Sequence, residues 1–175
     1  MKTKDLIDDL ATRFEILDFT PNRVAGLARL KTFAGRAGVL YDRCRNYDLG
    51  AEQRANVSAL SPWIRHRLIT ELEVLEVILE QHSFQTAESF VHEVFWRTYF
   101  KGWLEQHPGV WSSYQVGLRR QIKSVGKDRL LAANYTRAML GETGIDCFDA
   151  WADELVLTGY LHNHARMWFA SIWIF

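Results

Sequence analysis

Apolar residues recur at three- and four-residue steps through almost the whole chain, and the strict alternation of a half-buried strand is nearly absent. That pattern restricts the chain to an all-α fold. Leu6, Ile7, Leu10 and Phe14 open the series, with acidic residues between them. Thr20-Pro21 has the form of a cap with the favoured first-turn proline. Val24, Leu27, Ala28 and Leu30 carry the period on to Tyr41, weakened in the middle by Gly35 and Gly38. Residues 42–57 are polar and mixed, a predicted loop, and Ser61-Pro62 caps the next helix. Thr70-Glu71-Leu72-Glu73 has the capping-box form, with Leu72, Leu75, Val77, Ile78 and Leu79 behind it. Residues 86–106 are the longest helical candidate, stopped by His107-Pro108-Gly109. Val110 to Val125 and Lys127 to Leu140 follow, parted by Gly126. Gly141 to Gly144 is a turn, Asp146 caps a helix that Gly159 ends, and the last helix starts near His162.

A chain of 175 residues can bury one sizeable core. Lys plus Arg and Asp plus Glu are both 21, so the formal charge is zero. That argues against a polybasic nucleic-acid binder working by bulk charge and leaves room for a local basic face. Apolar residues make up 48% and charged residues 24%, the balance of a globular domain. Cys44 and Cys147 stand far apart in no paired motif, which argues against a disulfide framework or cysteine zinc site and fits a reducing cytoplasm. Aromatic residues reach 13%, which suits a large flat ligand or an aromatic-rich core. No segment has the run of roughly 20 apolar residues that a spanning helix needs, and the N-terminal MKTKDLIDDL is no signal peptide.

Motifs for other chemistries are missing. Gly35-Arg-Ala-Gly38 and Gly141-Glu-Thr-Gly144 lack the Lys-Ser/Thr of a P-loop, and no dinucleotide fingerprint follows a strand. His92-Glu93 begins like a zinc-protease motif, but Trp96 holds the place of the second histidine. His162 and His164, two apart on a predicted helix, would point to nearly opposite sides and serve as hydrogen-bonding groups rather than joint metal ligands. No metal is expected.

Three segments carry a more specific signal. The first is Tyr41-Asp-Arg-Cys-Arg45-Asn46-Tyr47, followed by Val57-Ser58-Ala59-Leu60-Ser61-Pro62-Trp63-Ile64-Arg65. The second is Phe90-Val-His-Glu93-Val-Phe-Trp96-Arg97-Thr-Tyr99-Phe100. The third runs Gly141-Glu-Thr-Gly144, Asp149-Ala150, Leu155, Thr158-Gly159-Tyr160-Leu161-His162-Asn163-His164-Ala165-Arg166-Met167 and Ala170-Ser171. In order and spacing they resemble the flavin-binding helical domain of the DNA photolyase and cryptochrome family, from residue 41 to the end.

The resemblance implies flavin adenine dinucleotide (FAD) as cofactor and damaged DNA, a pyrimidine dimer, as partner. It implies light-driven repair, in which reduced, excited flavin lends an electron to the dimer, the ring splits and the electron returns. Residues 57–61 correspond to the stretch that binds the diphosphate: Val57, Ser58, Ala59, Leu60 and Ser61 bring two hydroxyls to a helix start, and Tyr41 can add its phenol. A plain serine cap is the alternative for the same residues. Glu93, Trp96, Arg97 and Phe100 are spaced i, i+3, i+4 and i+7 on one helix face, and in the family such positions line the pocket for the extruded dimer. The alternative is a core Trp and Phe beside a Glu93–Arg97 helix pair. Asn163 and Arg166 fall where the family's flavin, substrate and DNA meet, with Arg166 on the cofactor side in an apolar setting that calls for a carboxylate. Arg45, Arg97, Lys101 and Arg166 are the candidate phosphate contacts. No protein side chain is assigned as a catalyst, because the cofactor carries the chemistry.

Several positions depart from the family pattern: Asn46 for Asp, Val57 for Thr, Ala59 for Arg, Ala138 for Trp, Asp153 for Arg, and His164 for Arg, which weakens one DNA contact. No Trp lies near residue 128, where the family's electron-transfer chain would surface. Residues 1–40 are expected to be a helical extension and 41–175 the family-like core, with no α/β antenna domain ahead of it. The apolar, uncapped end from Met167 to Phe175 leads to the expectation that the chain is cut inside a buried helix; a terminal helix docked in its own core is the other reading. Two further functions fit the same residues, a cryptochrome-like blue-light sensor without repair and a helical binding module without flavin.

Overall fold

A computed structural model describes residues 3–11 and 17–174. Every regular element among them is helical, as the apolar period requires. They form two compact units, one up to Thr98 and one from Tyr99 onward. Phe14 and Phe175 lie outside the described residues.

The first unit holds α1 (Thr3–Ala11), α2 (Arg23–Ala34), α3 (Val39–Cys44), α4 (Ser61–Arg65), α5 (Glu71–Leu79) and the start of α6 (Phe84–Gln106). Its main core gathers Leu30 and Phe33 of α2, Tyr41 of α3, Trp63 of α4, Val74 and Ile78 of α5, and Phe90, Val91 and Val94 of α6. A smaller cluster joins Leu10, Cys44 and Ala55. The expected single helix from Val24 to Tyr41 is instead two, parted at residues 35–38. A Cβ on Gly38 would stand 2.9 Å from Thr86 Cγ2 and 3.0 Å from His82 Nδ1, so the chain turns where only glycine fits against α6. The predicted loop at 42–57 begins later, because α3 runs to Cys44.

Capping differs from expectation at three ends. Thr20 donates to Asp18 Oδ2, and α2 is capped by Asn22, whose side chain accepts from the Ala25 amide at 2.8 Å. At α4, Leu60 is the N-cap and Ser61 the first helical residue, with no side-chain cap. At α9, Ile145 is the N-cap and Asp146 lies inside the first turn. The Thr70 capping box is formed as read, with Glu73 accepting from the Thr70 amide at 2.8 Å.

Arg23 donates to the same carboxylate and, with the Thr70 amide and hydroxyl, holds Glu73 down to about 2. This stabilisation is complete above the ordinary carboxylate pKa and is lost as pH falls from there to about 2. Thermal melts of wild type should therefore lose Tm over that window, and Glu73→Gln should start lower at neutral pH and flatten the acid dependence. Parallel curves for the two proteins would remove Glu73 as a source of acid sensitivity.

The second unit holds the end of α6, α7 (Gly109–Val125), α8 (Arg129–Met139), α9 (Asp146–Thr158) and α10 (Asn163–Ile174). Asp128 caps α8 by accepting from Leu130 and Leu131 amides. The core is aromatic: Phe148 stacks on Phe169 at 4.6 Å and meets Trp173 at 5.7 Å. Among the described residues, no helix is long and apolar enough to cross a membrane.

Candidate functional site

The loop from Tyr47 to Leu60 contains no helix, and side chains that answer backbone carbonyls hold its shape. Asn56, 1% exposed, donates to Cys44 O at 2.8 Å and Tyr47 O at 2.7 Å. Arg54, 1% exposed, pairs with Asp48 at 2.6 Å. Arg29 of α2 is also buried and donates to Ser58 O at 2.7 Å, Val57 O at 2.6 Å and Arg54 O at 3.0 Å. One guanidinium thus gathers three carbonyls on one side of the loop.

The far end of this loop has a conformation that the amino acids do not advertise. Ala59 stands at φ 51, the left-handed region that costs an L-residue about 1–2 kcal/mol. Leu60 follows in the right-handed region at φ −79 and ψ −9. Successive residues of opposite hand turn their amides toward one concavity, a cradle suited to an anion. The next residues open α4, which has no side-chain cap; Pro62 brings no N–H, and the Leu60 amide meets Ser58 Oγ at 3.5 Å. Val57, Ala59 and Leu60 have buried side chains, Ser58 is half-buried and Ser61 exposed. The plain serine cap of α4 is not formed.

Tyr41 is in the core rather than on a surface. It is 9% exposed, and its ring meets Phe33 at 5.8 Å and Phe90 at 5.2 Å, both edge-on. Arg45 lies 5.8 Å above that ring and pairs with Asp42 at 2.9 Å.

On α6, Glu93, Trp96 and Phe100 are exposed, Trp96 by 53% and Phe100 by 58%. Trp96 is therefore no core residue in this structure. Arg97 does not pair with Glu93: its Nε reaches Glu71 of α5 at 3.4 Å. Glu71 also accepts from Arg67 at 3.2 Å, so this carboxylate joins a cation of α6 to one in the turn between α4 and α5. Lys101 is half-buried. Tyr41, Arg45, residues 57–61, Glu93, Trp96 and Arg97 belong to the first unit, and Phe100, Lys101, Asn163 and Arg166 to the second.

In the second unit the Gly141–Gly144 turn is built around Asp149. Its carboxylate accepts from the Thr143 amide at 2.9 Å, the Thr143 hydroxyl at 2.7 Å and the Gly144 amide at 2.9 Å. Desolvation pushes its pKa up, but the Thr143 and Gly144 donors outweigh it and hold the group below its ordinary value. Gly141 and Gly144 stand at φ 67 and 82, and Gly159 ends α9 at φ 67. The spacing of these residues is thus explained by turn chemistry.

The histidine pair is arranged differently from the expectation of opposite sides. His162 precedes α10, is 1% exposed, and its Nδ1 accepts from the His164 amide at 3.2 Å. The two rings lie 5.7 Å apart and nearly parallel. Asn163 and Arg166 are exposed on α10, so Arg166 has none of the apolar burial that called for a carboxylate. Sequence reasoning missed Arg29, since an arginine within a helical run carries no mark of the carbonyls 25 to 29 residues away that it binds.

Residues 90–174 match the family model described as FAD binding domain of DNA photolyase. The match names FAD as the family's cofactor and covers α6 from Phe90 through α10, without reaching Tyr41 or residues 57–61. Among curated proteins, the chain is 27% identical to a deoxyribodipyrimidine photo-lyase of Synechococcus sp., over 86% of this chain and 31% of that protein. It is 30% identical to a cryptochrome DASH of Natronomonas pharaonis, over 89% of this chain and 33% of that protein. It is 28% identical to a cryptochrome DASH of Gloeobacter violaceus, over 89% and 31%. The chain thus spans about a third of the length of these relatives. No solved structure matches.

Proposed function

We propose, from the premise that residues 90–174 belong to the family of FAD-binding domains of DNA photolyases, that this chain is the flavin-holding part of a light-driven DNA repair protein. The observation that carries this reading is the amide cradle at Ala59–Ser61, fixed from behind by Arg29. In the proposal Val57, Ser58, Ala59, Leu60 and Ser61 take the diphosphate, Tyr41 backs them from the core, and Arg166 belongs to the cofactor side. Bound flavin would supply the electron transfer that splits a pyrimidine dimer. The chain's own side chains bind and orient. Trp96 stacks on the extruded base, Glu93 accepts its N–H groups, and Phe100 widens the apolar platform. Arg45, Arg97, Lys101 and Asn163 face the adjoining backbone, and the activity belongs in the cytoplasm.

The cryptochrome DASH relatives favour a second reading, a blue-light sensor with no repair activity. A flavin absorbance spectrum of the purified protein tests the cofactor, and loss of dimers under illumination separates repair from sensing. Trp96→Ala should weaken binding of a dimer-bearing oligonucleotide by about 1–3 kcal/mol, the value of base–aromatic stacking, with flavin content and Tm unchanged. Undiminished binding by this variant would take the α6 face out of the substrate site.

A further inference from the structure

The longest stretch without an acidic residue in the second unit runs from Gln106 to Lys127 and contains the whole of α7. The cations of α7 are Arg119, Arg120 and Lys123, and all three line one open hollow of about 350 Å³ with Val116. Positions 116, 119, 120 and 123 are spaced i, i+3, i+4 and i+7, so they share a face. Trp111, Tyr114, Leu118 and Ile122 recur on the opposite face. Every residue of α7 is at least partly exposed. Among the described residues, no carboxylate lies within ion-pair distance of Arg119, Arg120 or Lys123. By contrast, Arg45 and Arg97 are both paired with carboxylates.

Three like charges within about 6 Å of helix axis repel one another and repay the helix nothing unless an anion joins them. We propose that this face of α7 is a docking surface for the phosphate backbone of duplex DNA. The proposal rests on the DNA-repair reading for its choice of polyanion, and adds a contact surface to the residues placed in that reading. Two arginines suit the forked, planar recognition of phosphate oxygens, and a hollow shared by three cations suits a protruding phosphate better than a flat sheet of headgroups.

The test uses undamaged duplex DNA and the whole chain, read by fluorescence anisotropy over a salt series. Each phosphate contact contributes about 0.9 to the slope of log affinity against log salt. The triple variant R119Q/R120Q/K123Q should flatten that slope by about 2.7, and K123Q alone by about 0.9. The charge-keeping R119K/R120K should retain the wild-type slope, and helicity by circular dichroism should be the same in all. An unchanged slope in the triple variant and in K123Q overturns the proposal. So does a loss confined to binding of phosphatidylserine vesicles with DNA binding intact. Failure of the repair reading looks different: flavin absorbance or dimer loss is absent while the salt slope on undamaged duplex still depends on these three residues.

Discussion

Arg29→Met should destabilise the chain by about 3–5 kcal/mol in urea unfolding, and should lower flavin uptake even where the protein remains folded. The size follows from what the side chain answers. Ser58 O, Val57 O and Arg54 O accept from one guanidinium at 2.6 to 3.0 Å. Methionine fills a similar volume but donates nothing, so Ser58 O and Val57 O lose this donor, while Arg54 O keeps the Val57 amide at 3.4 Å. A buried acceptor left unsatisfied costs about 1–3 kcal/mol, and two share this loss. The functional effect follows from the other side of the same peptide units. With the carbonyls of Val57 and Ser58 held toward α2, the next amides are turned to the Ala59–Leu60 cradle. Arg29→Lys is the informative comparison. A single ammonium cannot match the fork's spread over three carbonyls, so it should recover less than half of the lost stability. A methionine variant with wild-type stability would mean that the loop holds its shape without Arg29.

Much of the helical order could be read from the chain because its signals are local. Thr70 and Glu73 are three residues apart and form the capping box that their spacing announces. Gly159 and Gly126 end helices where the apolar period stops. The features that escaped are those whose cause lies far along the chain. Gly38 lies between α2 and α3, where Thr86 of α6 and His82 of the preceding turn leave no room for a Cβ. Arg97 leaves its helical neighbour Glu93 for Glu71, which is 26 residues away. Ala59 adopts a positive φ although alanine carries no turn signal, since the bonds of Arg29 fix the backbone beside it. Thr20-Pro21 misled for a local reason: Asn22 offers a competing cap two residues later, and Asp18 occupies the Thr20 hydroxyl. The backbone turn at Ala59 and the partner of Arg97 therefore required the fold.

Trp63→Ala should cost the chain about 3–5 kcal/mol, as truncations of buried large aromatics do. Trp63 is 2% exposed, meets Phe19 at 5.5 Å between ring centroids, and donates from Nε1 to Thr20 O at 2.9 Å. The indole thus ties α4, directly behind the cradle, to the segment that leads into α2. Gly26 of α2 makes this contact testable as a pair. A Cβ there would stand 2.9 Å from Trp63 Cγ and 3.2 Å from Trp63 Cβ, too close for either rigid helix to accept. Gly26→Ala alone should therefore be destabilising by about 1–3 kcal/mol through overpacking, although alanine is the better helix former. Once Trp63 is truncated, the Cγ and the rest of the indole are gone and the new methyl enters the space they leave. The double variant G26A/W63A should then be more stable than the sum of the two single losses predicts, by about 1 kcal/mol or more. Additive losses would mean that α2 shifts to admit the methyl in both backgrounds, and that the close approach at Gly26 is not what sets the position of α4.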